Sequence, residues 1–222
     1  MEWFTSDLHL GYTNILGYCP WRPGETIEEM NAILIRNILD TVKRGDQLII
    51  AGDVVMGDRK ENLKLLQPIV DAGVTLTLVA GNHDNVHPMN RVHEKWEPVY
   101  REVFSHIFTT ARYRWESPLD LRFKILVGHL PLTLSEKDDK RYNREDFDKY
   151  VVSRETSLGC DAYLHGHIHS EDAVIAVPSP ELRTPLELHI GVDADWTEFG
   201  VQRFHPVSKI TIMKAIEKYA LQ

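Results

Sequence analysis

The chain has 222 residues, of which 43% are hydrophobic, enough for one sizeable core, so a single domain over 1–222 is expected. A formal net charge of -8 argues against strong duplex nucleic-acid binding, and no apolar run approaches the roughly 20 residues needed to cross a bilayer. Cys19 and Cys160 are too few for a disulfide framework, and the first residues lack the basic and apolar regions of a signal peptide, so a cytoplasmic location is expected.

Residues 2–6 read as a short strand running into Asp7-Leu8-His9. The loop over 12–24, with two prolines, is expected to be irregular and partly exposed. Thr26 and Glu29 have capping-box spacing, and Met30, Ile33, Leu34, Ile38 and Val42 follow at helical period, which predicts a helix ending near Gly45. Residues 47–51 read as a strand ending in Gly52-Asp53, and 60–71 as a helix bent or shortened at Pro68. The apolar run over 73–79 is a strand that stops in Gly81-Asn82-His83-Asp84.

A helix interrupted by Pro98 is expected over 90–105, then strands over 108–115 and 123–127, the second ending in Gly128-His129. The charged stretch over 135–144 lacks apolar periodicity and reads as a solvated loop, followed by a helix over 145–156. Residues 161–164 form a strand ending in His165-Gly166-His167-Ile168-His169, and 186–191 form another before Val192-Asp193. An amphipathic helix over 208–221 closes the chain.

Strand after strand thus ends in Asp, Asn or His, mostly beside a glycine that eases a turn or a close approach. In open α/β sheets that carboxyl edge is where ligands bind. Carboxylate, amide and imidazole donors without thiolates suit divalent Mn, Fe, Zn, Ni or Co better than a structural zinc knot. On a strand, Asp7 and His9 share a face because they are two residues apart, and so do His167 and His169. Each piece alone is ordinary: Gly-Asp is a turn, and a single Gly-His is most often a packed or surface histidine. Their order along one chain is what carries the metal-site reading.

With these motifs the sequence resembles the calcineurin-like metallophosphoesterases, whose pattern is Asp-x-His, Gly-Asp-x-x-Asp, Gly-Asn-His-Asp/Glu, Gly-His and Gly-His-x-His. The resemblance runs from Asp7 to His169, and Gly191-Val192-Asp193 with Pro206-Val207-Ser208 looks like the tail of a small phage and bacterial branch. It implies an α/β fold, a four-layer α-β-β-α sandwich of two mixed β-sheets flanked by helices. It also implies two divalent metal ions, with manganese favoured and Fe, Zn, Ni or Co as alternatives. Asp7, His9, Asp53 and His169 would hold the first metal. Asp53, as a bridge, would hold the second with Asn82, His129 and His167. His83 would protonate the leaving group, with Asp84 orienting its ring.

The implied reaction is hydrolysis of a small phosphate-ester or nucleotide substrate, such as a 2′,3′-cyclic nucleotide, by a metal-bound hydroxide. A phosphomonoesterase or protein phosphatase, a single-strand nuclease and a non-catalytic metal-site scaffold stay open as alternatives. Asn14, Tyr18, Trp21 and Arg22 in the first loop, and Lys140, Arg141 and Arg144 in the later one, are candidate substrate contacts. Two departures stand out. Met56 occupies the place of the family's second Asp, with Asp58 out of register by two, and Tyr12 stands where the related branch often has histidine.

Overall fold

The computed structural model of the protein describes residues 1–117, 120–132, 159–178 and 184–220. Its elements, in chain order, are β1 (Glu2–Thr5), α1 (Ile15–Tyr18), α2 (Ile27–Thr41), β2 (Gln47–Ile50), α3 (Arg59–Leu63), α4 (Gln67–Asp71), β3 (Thr75–Val79), α5 (His93–Tyr100), β4 (His106–Phe108), β5 (Ala111–Glu116), β6 (Arg122–Val127), β7 (Ala162–His165), β8 (Val174–Ala176), β9 (Leu186–His189), β10 (Val207–Ser208) and α6 (Lys209–Ala220). They build two mixed sheets, ordered β10-β1-β2-β3-β4 and β5-β6-β7-β9-β8. In the first, β1 to β4 are parallel and β10 is antiparallel to β1. In the second, β6, β7 and β9 are parallel, with antiparallel β5 and β8 at its edges.

Period-two alternation explains why the sheets stack. Phe4, Ile49, Ala51 and Val79 point to the same core as Phe123, Ile125, Val127, Ala162, Leu164, Leu186 and Leu188. Intervening residues such as Leu48, Ile50, Leu76 and Leu78 face the other way and pack on Met30, Leu34 and Ile38 of α2 and on Leu63, Leu66 and Ile69 of the next helical segment. Strands buried on both faces read as continuous apolar runs, as β2 and β3 do. Helix α6 adds Ile212, Met213, Ala215 and Ile216 to the core between the sheets. The α/β class with two mixed sheets and flanking helices is as the sequence led one to expect.

Local details differ for identifiable reasons. The helix expected over 60–71 is α3, a 3₁₀ turn (Lys64–Leu66) and α4, with Pro68 in the first turn of α4, where its missing N–H costs nothing. The strand expected over 108–115 is two: β4 pairs in the first sheet, and β5 begins the second after Thr109-Thr110. The helix expected over 90–105 is confined to α5, whose interior carries Pro98. One turn of helix, α1, lies inside the loop read as irregular, and the short strands β8 and β10 were not foreseen. The loop expected over 135–144 and the helix over 145–156 lie outside the described residues.

Candidate metal centre

The parallel strands of both sheets deliver their carboxyl ends to one place. β1 leads to Asp7 and His9, β2 to Asp53, β3 to Asn82-His83-Asp84, β6 to His129, β7 to His167 and His169, and β9 to Asp193. Shared strand faces are not what aligns Asp7 with His9, or His167 with His169. All four lie beyond their strands in the left-handed region, with φ of 57°, 49°, 71° and 50°, and Asp53 has φ 53°. The backbone there is held by cross-strand hydrogen bonds: the N–H groups of Asp7, His9 and Leu10 donate to the carbonyls of Gly52, Asp53 and Val54 at 3.0 Å each. Left-handed backbone at non-glycine residues is costly and collects where a functional geometry demands it.

Two glycines permit the close approach. A Cβ on Gly166 would overlap Ser6 and the Asp7 carboxylate, and one on Gly81 would overlap the Asp53 carboxylate.

Two donor groups result, Asp7–His9–His169 and Asp53–His129–His167, each with its ligand atoms within 4.8 Å of one another. Asp53 lies between them: its Oδ2 is 3.3 Å from His129 Nε2 and 3.7 Å from His9 Nε2. Its Oδ1 accepts the His83 N–H at 2.9 Å. Asn82 lines a small cleft together with His129. His129 Nδ1 donates to the Ala51 carbonyl at 2.7 Å, and His169 Nδ1 donates to Asp193 Oδ2 at 2.8 Å. Anchoring Nδ1 in this way leaves Nε2 as the nitrogen available to a metal, the usual arrangement around one.

A divalent metal pair fits this donor set. The imidazole of buried His9 has no hydrogen-bond partner among the described residues, yet its Nε2 sits 3.7 Å from Asp53 and 3.9 Å from Asp7. A cation between them would satisfy the lone pair and both carboxylates. Without one, burial holds the His9 pKa down at about 4, against the attraction of Asp53 and Asp7. Burial pushes the Asp53 pKa up, but His129 and His9 outweigh it and hold the carboxyl well below its usual range.

The remaining expected site residues divide. His83 is exposed beside the ligands, its ring 5.9 Å from that of His9, and burial of part of the ring lowers its pKa. Asp84 does not hold the His83 ring, contrary to expectation. Its fully buried carboxylate accepts the backbone N–H groups of Asp53, Val54 and Gly81 at 2.9, 3.1 and 2.8 Å, which ties the end of β3 to the end of β2. Burial and then the Asp53 charge raise its pKa to about 6.

Arg22 is not a substrate contact either. It is 4% exposed, and its donors go to Asp193 and to the carbonyls of Asp7 and Leu8. A lone arginine in a polar loop gives no sign that its partner lies 171 residues away. Asn14 is exposed at the start of α1 and is not among the residues lining the pocket beside the site. Arg141 and Arg144, with Lys140, lie outside the described residues.

That pocket, of about 380 Å³, is lined by His9, Tyr12, Ile15, Tyr18, Met56, His83 and His169. A larger cleft of about 500 Å³, around Trp3 and Phe199, contains none of the ligand residues. The chemistry therefore marks the smaller one. Met56 forms part of its wall, and Asp58 instead caps α3 by accepting the Glu61 N–H at 3.2 Å. Asp193 had a legible signal: it follows an apolar strand and a glycine, as Asp53 does.

The profile of the calcineurin-like phosphoesterase family matches residues 3–171. The gene 66 protein of Mycobacterium phage L5 is 29% identical over 197 residues, covering 86% of each chain. The gene 66 protein of Mycobacterium phage D29 is 27% identical over 195 residues, covering 86% of this chain and 87% of its own. A crystal structure of an Aquifex aeolicus protein of unknown function superposes with a TM-score of 0.62 at 23% identity, over 97% of this chain and 98% of its own, which is a likeness of fold.

Proposed function

Because this chain belongs to the calcineurin-like phosphoesterase family, which makes it a metal-dependent phosphoester hydrolase, we propose that its substrates are small phosphodiesters, with 2′,3′-cyclic nucleotides as the class. The observation that carries the diester preference is the charge of the pocket. Its described lining contains no lysine or arginine, and the nearby Arg22 is committed to Asp193. A diester brings one negative charge and a monoester up to two, so a described lining without lysine or arginine supports the diester, with Arg59 held behind it by the His83 carbonyl and the Met56 sulfur. Tyr12 and Tyr18, with ring centroids 6.3 Å apart, offer an aromatic surface for a nucleobase or aryl group.

A divalent metal pair, for which we favour Mn²⁺, supplies an activated water and neutralises charge on the phosphate when bound. Asp7, His9, Asp53 and His169 would hold one ion; Asp53, Asn82, His129 and His167 the other. His83 faces the same space and delivers a proton to the departing oxygen. Burial lowers the pKa of its ring, and a phosphate anion beside it restores the charged, proton-carrying form. The chain's acidity, at net -8, supports a compact substrate over duplex nucleic acid. Its two cysteines are free thiols, which supports a reducing cytoplasm as its setting.

The test is a panel of a bis-aryl phosphodiester, an aryl monoester, a 2′,3′-cyclic nucleotide and an oligonucleotide, assayed with added Mn²⁺. The two small diesters are expected to exceed the monoester by at least about tenfold in kcat/KM, equivalent to some 1.4 kcal/mol in the barrier. A preference for the monoester or the oligonucleotide would replace the diester reading. Turnover of none of them would favour a scaffold.

A further inference from the structure

We propose that Arg22 and Asp193 form a positioning pair that sets His169 and the Asp7–His9 turn for one of the two metals, and thereby control the affinity of that metal alone. The inference rests on the metal-dependent reading above and goes beyond it in assigning a role to two residues outside the ligand set.

The geometry is specific. Arg22 binds Asp193 through two guanidinium nitrogens, Nε to Oδ1 at 2.8 Å and Nη2 to Oδ2 at 2.6 Å, and neither side chain is exposed to solvent. The same guanidinium donates to the Leu8 carbonyl at 3.2 Å and the Asp7 carbonyl at 2.7 Å. It therefore holds the main chain where Asp7 and His9 adopt left-handed φ. On its other side Asp193 accepts His169 Nδ1–H at 2.8 Å and Trp21 Nε1–H at 3.1 Å. One ion pair thus touches the main chain of Asp7 and the side chain of His169, and reaches His9 only through the carbonyl of the intervening Leu8. No hydrogen bond joins it to the Asp53 or His129 side chain among the described residues.

A buried ion pair is weak evidence for stability, because desolvating two charges offsets most of their attraction. Its retention here is better explained by what it positions. A carboxylate behind a ligating histidine fixes the ring and its tautomer, and a bidentate guanidinium fixes the carboxylate. Cys19, His169 and Asp193 also lie within 4.8 Å of one another, as a third donor group. The Arg22 guanidinium already occupies both Asp193 oxygens, so a cation there would have to displace it.

The full-length chain, stripped of metal, is titrated with Mn²⁺ by calorimetry as wild type, Asp193→Asn and Trp21→Phe. The tautomer of His169 is read in parallel by nitrogen-15 NMR of the metal-free proteins. Wild type is expected to bind two ions. Asp193→Asn should weaken one of them by about 10–100-fold, the usual effect of losing such a partner, and leave the other within about threefold. The His169 signal should lose its fixed Nδ1–H form. Trp21→Phe keeps the aromatic ring and removes one hydrogen bond, so it should weaken the same ion by a few fold and decides the matter if Asp193→Asn fails to fold.

Equal weakening of both ions, or of neither, overturns the inference. A wild-type chain that binds no Mn²⁺ overturns the metal reading beneath it instead.

Discussion

His83 and Asp84 are neighbours with unrelated work, and two substitutions separate them. His83 contributes its backbone N–H to the Asp53 carboxylate and its ring to the pocket. Alanine keeps the N–H and removes the ring. His83→Ala should therefore bind Mn²⁺ like wild type while kcat falls by about 10²–10⁴-fold, the range for a lost general acid, and falls furthest for poor leaving groups. Full activity on an alkyl diester would remove His83 from the reaction. Asp84 is different, since its two oxygens are acceptors for three buried N–H groups. In Asp84→Asn an amide N–H₂ must face at least one of those donors. The cost should be about 1–3 kcal/mol, seen as a lower urea midpoint in the metal-free protein. An unchanged midpoint with lost turnover would return Asp84 to the ring-orienting role.

At the scale of elements, the N-terminus of α2 shows how a local rule survives in the fold. Thr26 Oγ accepts the Glu29 N–H at 3.2 Å, and Glu29 reaches back to the Glu25 N–H at 2.9 Å. Thr26→Ala should cost about 1 kcal/mol in thermal or urea unfolding, with kcat/KM unchanged because the cap is an exposed hydrogen bond that none of the donor-group side chains shares. A larger loss of activity than of stability would mean that α2 positions the first loop. Caps, apolar runs and strand-terminal polar residues depend on near neighbours, which is why most strands, α2 and the side chains of the two donor groups were legible in the sequence. What escaped depends on distant partners. Nothing local marks Thr109-Thr110 as the place where the chain changes sheets, because 108–115 is a plausible strand throughout. β10 is two residues long and exists only through its pairing with β1. The left-handed φ at Asp7, His9, Asp53, His167 and His169 falls on residues that are not themselves glycine, and the glycines beside two of them, Gly52 and Gly166, do not say which neighbour takes it. Arg22 looked like a loop cation because Asp193 comes from the other end of the chain.

Over the whole molecule, gathering the strand ends of two sheets makes stability depend jointly on pH and metal. Burial lowers the pKa values of His129 and His169, but Asp53 for the first and Asp193 for the second outweigh it and raise them to about 9 and about 10. In the metal-free protein their stabilisation is complete below the unfolded value of 6.5 and is lost as pH rises through the folded values. Burial pushes His9 and His87 down to about 4 and His165 to about 3, and lowers His83 and His189 as well. Their contribution is complete above 6.5 and is lost as pH falls, because the unfolded chain takes up protons first. Asp84 and Glu187, raised by burial, oppose that acid loss, but they are two groups against five. The metal-free midpoint should therefore peak near pH 6.5, where the two sets of histidines meet. Bound metal requires deprotonated imidazoles, so it replaces the protons of His129 and His169 and cancels the alkaline loss. Thermal melts from acid to alkaline pH, in EDTA and in excess Mn²⁺, should show a dome in the first case and a maximum displaced to higher pH in the second. A metal-free midpoint that climbs steadily above pH 6.5 would mean that Asp53 and Asp193 do not hold protonated histidines, and that these four side chains meet only when a cation draws them together.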